Sequence, residues 1–263
     1  MTDPLRIALV GTGRMGQAVA AVAEERGHAV VARFDEANPL LASRDPDVLH
    51  GADVCVDFSV PDVALDQIHQ YAFWGVDAVV GTTGWTGELA KVQEWVEEGQ
   101  NGMLWAPNFS LGLALVERAL RGMLPLLDRL GDVDVAVHEV HHTGKLDSPS
   151  GTALRLAEVL LDGLDRKTHI EAETQHGAID PEALHVTSQR LGSVFGEHTV
   201  ALDSAVEQIE VVHRAKDRRA FAVGAVRAAE WVHGRNGLFT LDDLIADTVD
   251  TAASKRSPDA GRA

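Results

Sequence analysis

The sequence predicts an α/β protein: a parallel sheet covered by helices on both faces, followed by a second domain of α+β type. Three observations carry this reading. Apolar runs of strand length alternate with stretches of helical spacing through the N-terminal part of the chain. The first run closes on a glycine-rich turn that opens a helix. After Asn108 the alternation gives way to a long apolar helix and then to the period-2 pattern of half-buried strands.

Taken in order, LRIALVG is a short apolar run, and RMGQAVAAVAEERG after it sets Met15, Val19 and Val22 on one helical face with Gly27 as a stop. HAVVARFD, DVCVDFS, DAVVGTTG and GMLWAPNFS read as further buried strands, separated by helix-like segments such as GELAKVQEWVEEG. Nearly continuous apolar strands joined by helices belong to a parallel sheet buried on both faces. Beyond Asn108, LGLALVERALRGMLPLLDRL predicts a long helix broken near Pro125, and DVDVAVHEV alternates as a strand does. EALHVTSQRL, GEHTVALDS and VEQIEVVHRA predict a mixed or antiparallel sheet. FAVGAVRAAEWVHG and TLDDLIADTV return to helix and are placed to pack back on the first domain, and the tail AASKRSPDAGRA is expected to be disordered.

Composition narrows the function. Forty acidic residues against 23 basic ones leave a net charge of −17, which repels nucleic-acid phosphates and anionic membranes, so neither is an expected partner. The apolar runs end well before the roughly 18 residues that a membrane-spanning helix needs, and MTDPLRIALVG lacks a signal-peptide pattern; the expected location is the cytoplasm. Cys55, the single cysteine of the chain, lies in an apolar run and is expected to pack as a small buried hydrophobe. An anionic ligand would need a locally positive pocket in so acidic a chain.

One such pocket is written into the first turn. Gly11, Gly13 and Gly16 form G-x-G-x-x-G between strand and helix: a tight turn, a close backbone approach to a pyrophosphate, and close strand–helix packing. The helix N-terminus supplies positive potential to the phosphates. Asp35, after the second strand, stands where a carboxylate accepts bonds from ribose hydroxyls. Glu36 follows where NADPH-preferring enzymes usually carry an arginine, and two carboxylates repel a 2′-phosphate. NADH is therefore expected to be preferred to NADPH, with Arg33, on the same strand face as Asp35, softening the penalty.

A second candidate site lies in VHEVHHTGKLDSPSGTAL, residues 137 to 154. His138-Glu139-Val140-His141-His142 matches the H-E-x-x-H zinc pattern, but that motif works on a helix. In a strand His138 and His142 stand roughly 13 Å apart, too far to share a metal, so no metal is expected. His141, His142 and Lys145 are expected in a loop ahead of a helix, with Ser148 as N-cap and Pro149 at the first helical position. The amides around Gly151 and Thr152 would then point outward, unpaired. A helix N-terminus beside a lysine and histidines is suited to hold a carboxylate and to pass protons to it.

EVHHTGKLDSPSGTA resembles the dihydrodipicolinate reductase signature E-x-H-H-x-x-K-x-D-x-P-S-G-T, and GTGRMG, VDFSVPD, VVGTTG, APNFSLG, GEHTVAL, VVHRAKDRRAFAVGAVRAAEWV and GLFTLDDL resemble further family segments in the family's order. The resemblance implies a Rossmann-like dinucleotide-binding domain (1–109 plus 219–263) with an inserted α+β domain (110–218) that binds substrate and forms a homotetramer. It implies NAD(P)H-dependent reduction of 4-hydroxy-tetrahydrodipicolinate, a small dicarboxylate, to tetrahydrodipicolinate on the diaminopimelate route to lysine. By position it implies His141 as proton donor or acceptor, Lys145 as proton donor, His142 as a substrate-binding histidine, and Gly151 and Thr152 as amides gripping a substrate carboxylate. On the cofactor side it implies Gly11, Thr12, Gly13, Arg14, Met15, Gly16 and Asp35, with Gly81, Thr82, Thr83 and Ala106, Pro107, Asn108, Phe109 lining the nicotinamide. The glycine loop is one residue shorter than in some relatives, which bears on the phosphate contacts of Thr12 and Arg14. The alternatives are another small-substrate NAD-dependent dehydrogenase, separable by turnover, and a non-catalytic dinucleotide sensor, which would have no need of the His-His-x-x-Lys loop.

Overall fold

The computed structural model describes residues 3–254. The chain divides into two compact units: one runs to Ser110 and resumes at Arg218, and the other is Leu111–Asp217.

The first unit is built on a six-stranded parallel sheet. In chain order it contains β1 (Arg6–Val10), α1 (Arg14–Glu25), β2 (Ala29–Phe34), β3 (Val54–Asp57), α2 (Pro61–Trp74), β4 (Asp77–Val80), α3 (Leu89–Gly99) and β5 (Gly102–Trp105). The strands lie in the order β11-β5-β4-β3-β1-β2, where β11 is defined below, and every pairing is parallel. Strands β3 and β4 are buried along their whole length, as the apolar runs require of a sheet covered on both faces. The core gathers Val10, Phe34, Ile68, Tyr71, Val80, Val92 and Met103, together with Cys55, which is fully buried.

The second unit contains α4 (Leu111–Arg129), β6 (Asp134–His141), α5 (Gly151–Leu161), β7 (His169–Glu171), β8 (Ala183–Arg190), β9 (Glu197–Asp203) and β10 (Gln208–Arg214). Its sheet has the order β10-β9-β6-β8-β7 and is mixed: β6 runs parallel to β8 and antiparallel to β9. Helices α4 and α5 pack on it around Leu120, Val137, Leu156, Leu160, Val186 and Val200. Helix α4 continues through Pro125 to Arg129 and does not break there as the sequence predicts. Pro125, Arg121 and Gly122 are all exposed, so the carbonyl that the proline leaves unpaired faces water.

The chain then returns to the first unit with α6 (Arg219–Val232), β11 (Gly237–Thr240) and α7 (Leu241–Ser254). Glu230 of α6 accepts bonds from Arg26 at 2.7 Å and lies 2.8 Å from His28 Nε2, which ties α6 to the end of α1. β11, which the sequence pattern does not announce, extends the parallel sheet beside β5. Of the tail expected to be disordered, Ala252–Ser254 are helical and the rest lies outside the described residues.

Candidate functional site

In a parallel sheet the loops after the strands all emerge at the carboxyl edge, and in the order 2-1-3-4-5 the chain reverses direction between β1 and β3. The glycine loop follows β1 at that switch point. Gly11 has φ +89°, a conformation that L side chains rarely adopt, and a Cβ there would run into the Phe58 carbonyl after β3. A Cβ on Gly16 would collide with the Gly11 carbonyl, whereas one on Gly13 would meet nothing within 4 Å. Two of the glycines are thus demanded by packing, and Gly13 leaves open space in front of the helix. Gly13 is the N-cap of α1, and no side chain caps that end, so Arg14 and Met15 open the helix without a side-chain acceptor.

Thr12 donates a 2.7 Å hydrogen bond to Asp35, whose other oxygen accepts from the Ala37 and Asn38 amides at 3.0 and 3.1 Å. These donors, Thr12 foremost, hold the Asp35 carboxyl below the usual carboxylate range. A sequence-local turn therefore presents an ionised acid bound directly to the glycine loop. Arg33 pairs with Glu24 at 3.8 Å, and Glu36 is exposed.

The other loops expected at the cofactor lie at the same edge, Gly81, Thr82 and Thr83 after β4, and Ala106 to Phe109 after β5. Sequence reasoning missed what joins them. Asp57, at the end of β3, is fully buried and accepts from Tyr71 Oη at 2.7 Å, Ser59 N at 2.8 Å and Thr82 Oγ1 at 3.0 Å. Burial pushes the Asp57 carboxyl upward against these donors. Phe58 completes the join: its ring lies where a Cβ on Gly81 would fall, and it meets Phe109 edge-on at 5.7 Å. The signal was the acid in the apolar run DVCVDFS, which only a buried hydrogen-bond partner explains.

In the second unit, His141 is the last residue of β6 and not part of the loop as expected. Its register explains this: His141 pairs with Arg190 of β8, and Leu191 N donates to the His141 carbonyl at 2.8 Å, so the ladder extends through it. Glu139, two residues earlier, shares its side of the strand. Glu139 is fully buried, and its Oε2 bonds His141 Nδ1. Arg190 Nη1 donates to both Glu139 oxygens at 2.9 and 3.1 Å, and Ser150 N donates to Oε1 at 3.2 Å. Burial raises the Glu139 carboxyl, but the donors, led by His141, outweigh it and hold it below its ordinary value.

Helix α5 starts later than the sequence predicts. Ser150 and not Ser148 is the N-cap, and Gly151 and not Pro149 is the first helical residue. The reason is that the Ser150 hydroxyl reaches Ala153 N at 3.2 Å, three residues on, while Ser148 lies too far upstream for that bond. The same hydroxyl lies 3.2 Å from His198 Nε2. His198 is buried among other histidines, and burial first, then His141 and His213, push its imidazole down to about 4. It is therefore neutral near pH 7.

Lys145 and Asp147 form an ion pair at 2.9 Å. Lys145 foremost, with the Gly151 amide among the weaker donors, holds the Asp147 carboxyl below its usual value. A carboxylate of the chain itself, Asp147, thus already pairs with the ammonium of the loop that leads into the helix start. Arg190 Nη2 donates to the Asp147 carbonyl at 2.6 Å, which pins the loop to the strand that orients Glu139. His142 is half-buried beside Gly144, and Thr152 lies in the first turn of α5. Glu139, Arg190, Ser150 and His198, none of them among the expected site residues, assemble around His141. Glu139 and Ser150 carried a signal as members of the signature, and His198 as part of the family segment GEHTVAL; Arg190 carried none. Among the described residues no group of histidine, cysteine and carboxylate side chains could hold a metal.

A glycine loop of this geometry at the switch point of a parallel sheet places the chain among the proteins with a dinucleotide-binding domain. Models for the N-terminus and the C-terminus of dihydrodipicolinate reductase match residues 5–109 and 112–245. The 4-hydroxy-tetrahydrodipicolinate reductase of Christiangramia forsetii is 34% identical over 92% of this chain and 98% of its own, and that of Chromobacterium violaceum 35% identical over 91% and 97%. A dipicolinate-bound dihydrodipicolinate reductase from Paenisporosarcina sp. TG-14 has the same fold, with a TM-score of 0.76 at 24% identity over 92% of this chain and 99% of that one. The chain belongs to the dihydrodipicolinate reductase family, whose reaction is the NAD(P)H-dependent reduction on the diaminopimelate route to lysine.

Proposed function

We propose that the chain reduces 4-hydroxy-tetrahydrodipicolinate to tetrahydrodipicolinate with loss of water, using NADH in preference to NADPH. The observation that carries this reading is the junction of β6 and α5, where an imidazole is bonded to a buried carboxylate that the Ser150 amide at the helix start also holds, with the Lys145 ammonium in the loop between. His141 gives or takes a proton, Lys145 gives one, and His142 holds the substrate. Gly151 and Thr152 present their amides to a substrate carboxylate, which takes the place of Asp147 beside Lys145. These positive groups offset the repulsion that a chain of net charge −17 exerts on a dicarboxylate.

The first unit fits a dinucleotide. The space before Gly13, the uncapped start of α1 and the ionised Asp35 suit a pyrophosphate and a ribose, with Thr12, Arg14 and Met15 at the turn. When bound, the nicotinamide supplies the hydride. Gly81, Thr82, Thr83 and Ala106 to Phe109 line its ring; Asp57 holds the first of these loops through Thr82, and Phe58 packs on the second through Phe109. Asp35 and Glu36 disfavour a 2′-phosphate, and Arg33, drawn to Glu24, offers it little relief. Residues 1–109 with 219–263 form the dinucleotide domain, and residues 110–218 bind substrate and build a homotetramer in the cytoplasm. No described helix is long and apolar enough to cross a membrane.

The deciding assay is NADH oxidation with the freshly made condensation product of pyruvate and aspartate semialdehyde. Turnover with that compound, and none with simple amino acids, supports this reductase against another small-substrate dehydrogenase. Dinucleotide binding without any turnover would replace it with a sensor, and sedimentation of the same sample tests the tetramer.

A further inference from the structure

We infer that Glu139 is a positioning residue that fixes the tautomer of His141, keeping a proton on Nδ1 and making Nε2 the atom that exchanges one. The inference rests on His141 as the proton-transferring residue and specifies how it is held ready. An ionised carboxylate can only accept hydrogen bonds, so the ring nitrogen that faces Glu139 must be the donor. Glu139 cannot turn away, because Arg190 Nη1 spans both of its oxygens and the Ser150 amide binds Oε1. It is fully buried, so water offers no competing partner.

The opposite side of the ring is kept clear. A Cβ on Gly196, just before β9, would lie 3.0 Å from His141 Nε2, so any larger residue there would press on the exchanging atom. His198 meets the ring edge-on at 5.1 Å and is neutral, so it does not oppose a positive charge on His141. Glu139 favours that charge, while Arg190 on β8 disfavours it from behind the carboxylate that it neutralises in part. In the transfer, the Nε2–H bond breaks and its proton goes to the substrate. The ring falls from imidazolium to neutral imidazole, and the Nδ1–H bond to Glu139 is untouched.

Glu139→Gln separates positioning from bulk. Arg190 and Ser150 N both require an oxygen at the Oε1 position, so the amide group of the glutamine must face His141 Nδ1. Nδ1 then has to accept, the proton moves to Nε2, and a second proton on Nδ1 would have to face the N–H of the glutamine. The test records long-range 1H–15N spectra of the full-length protein with labelled histidine, together with steady-state kinetics. The wild type is expected to show Nδ1–H on the neutral His141 ring. Glu139→Gln is expected to show Nε2–H and a kcat lower by about a hundredfold or more, with substrate KM changed less than about threefold. Glu139→Asp, which keeps the charge, is expected to restore Nδ1–H and much of kcat. An Nε2–H signal in the wild type overturns the inference without any variant, as does a Glu139→Gln enzyme with full kcat. Full turnover by His141→Ala would instead remove the catalytic reading of His141, while the spectra still decide what Glu139 does.

Discussion

The glycine loop after β1 and the histidine loop after β6 are built by different means. In the first, the backbone does the work: a positive φ at Gly11, carbonyls that leave Gly11 and Gly16 no room for a side chain, and open space at Gly13. In the second, the backbone is an ordinary strand end and helix cap, and side chains from three strands converge on one imidazole. A backbone-built site is sensitive to one added methyl group, whereas a side-chain-built site is sensitive to the loss of a charge or a donor.

That contrast is sharpest for Gly11→Ala and Gly13→Ala. Gly11→Ala combines a disfavoured φ with a collision against the Phe58 backbone and is expected to cost several kcal/mol, on the order of 3 to 5. Thermal melts should drop by roughly ten degrees, or soluble protein should be lost. Gly13→Ala should melt within a few degrees of the wild type yet weaken NADH binding at least about tenfold, because the methyl group enters the space a pyrophosphate needs. Equal melting temperatures for the two variants would break the comparison.

The histidine loop is expected to respond in rate and not in folding. His141→Ala and Lys145→Ala should each lower kcat by about a hundredfold or more, the scale of a lost proton donor, with the circular dichroism spectrum retained. Near-normal turnover in both would remove their assigned roles.

A smaller effect comes from pH. His198 is held neutral down to about pH 4 in the fold but takes up a proton near its ordinary value of 6.5 once unfolded. The unfolded state therefore binds more protons in between, and stability is lost as pH falls from 6.5 toward 4, by up to about 3 kcal/mol. Melting temperatures measured from pH 7 to pH 5, above the range where most carboxylates titrate, should fall in the wild type and fall less steeply in His198→Gln. Parallel slopes would mean that His198 is protonated in the fold.

The smallest effect is on cofactor choice, where the glycine loop itself relies on charge. NADH should exceed NADPH in kcat/KM by less than about tenfold at low salt, and the gap should narrow as salt screens Asp35 and Glu36. An NADPH advantage of tenfold or more, about 1.4 kcal/mol, would overturn the assignment of Asp35 to the ribose.

What could be read from the sequence follows the same division. The glycine spacing, the acid after β2, the parallel strands and the His-His-x-x-Lys loop are local patterns: each is set by neighbours a few residues apart, where strand and helix periods and turn chemistry apply. The start of α5 lies two residues beyond the one the sequence predicts, because Ser148-Pro149 and Ser150 offer the same capping chemistry and only the reach of the Ser150 hydroxyl to Ala153 N chooses between them. The sequence overstates the break at Pro125, because the cost of the lost hydrogen bond depends on whether the freed carbonyl meets water, and the fold leaves that turn exposed. Tertiary structure alone brought Arg190 to Glu139, 51 positions apart, and Ser150 to His198, 48 apart. It also inserted β11 beside β5 and gathered Thr82, Ser59 and Tyr71 on Asp57. The physical reason is that burying a carboxylate is costly until donors surround it, and those donors arrive from whichever strands the sheet register sets alongside, which no local pattern encodes.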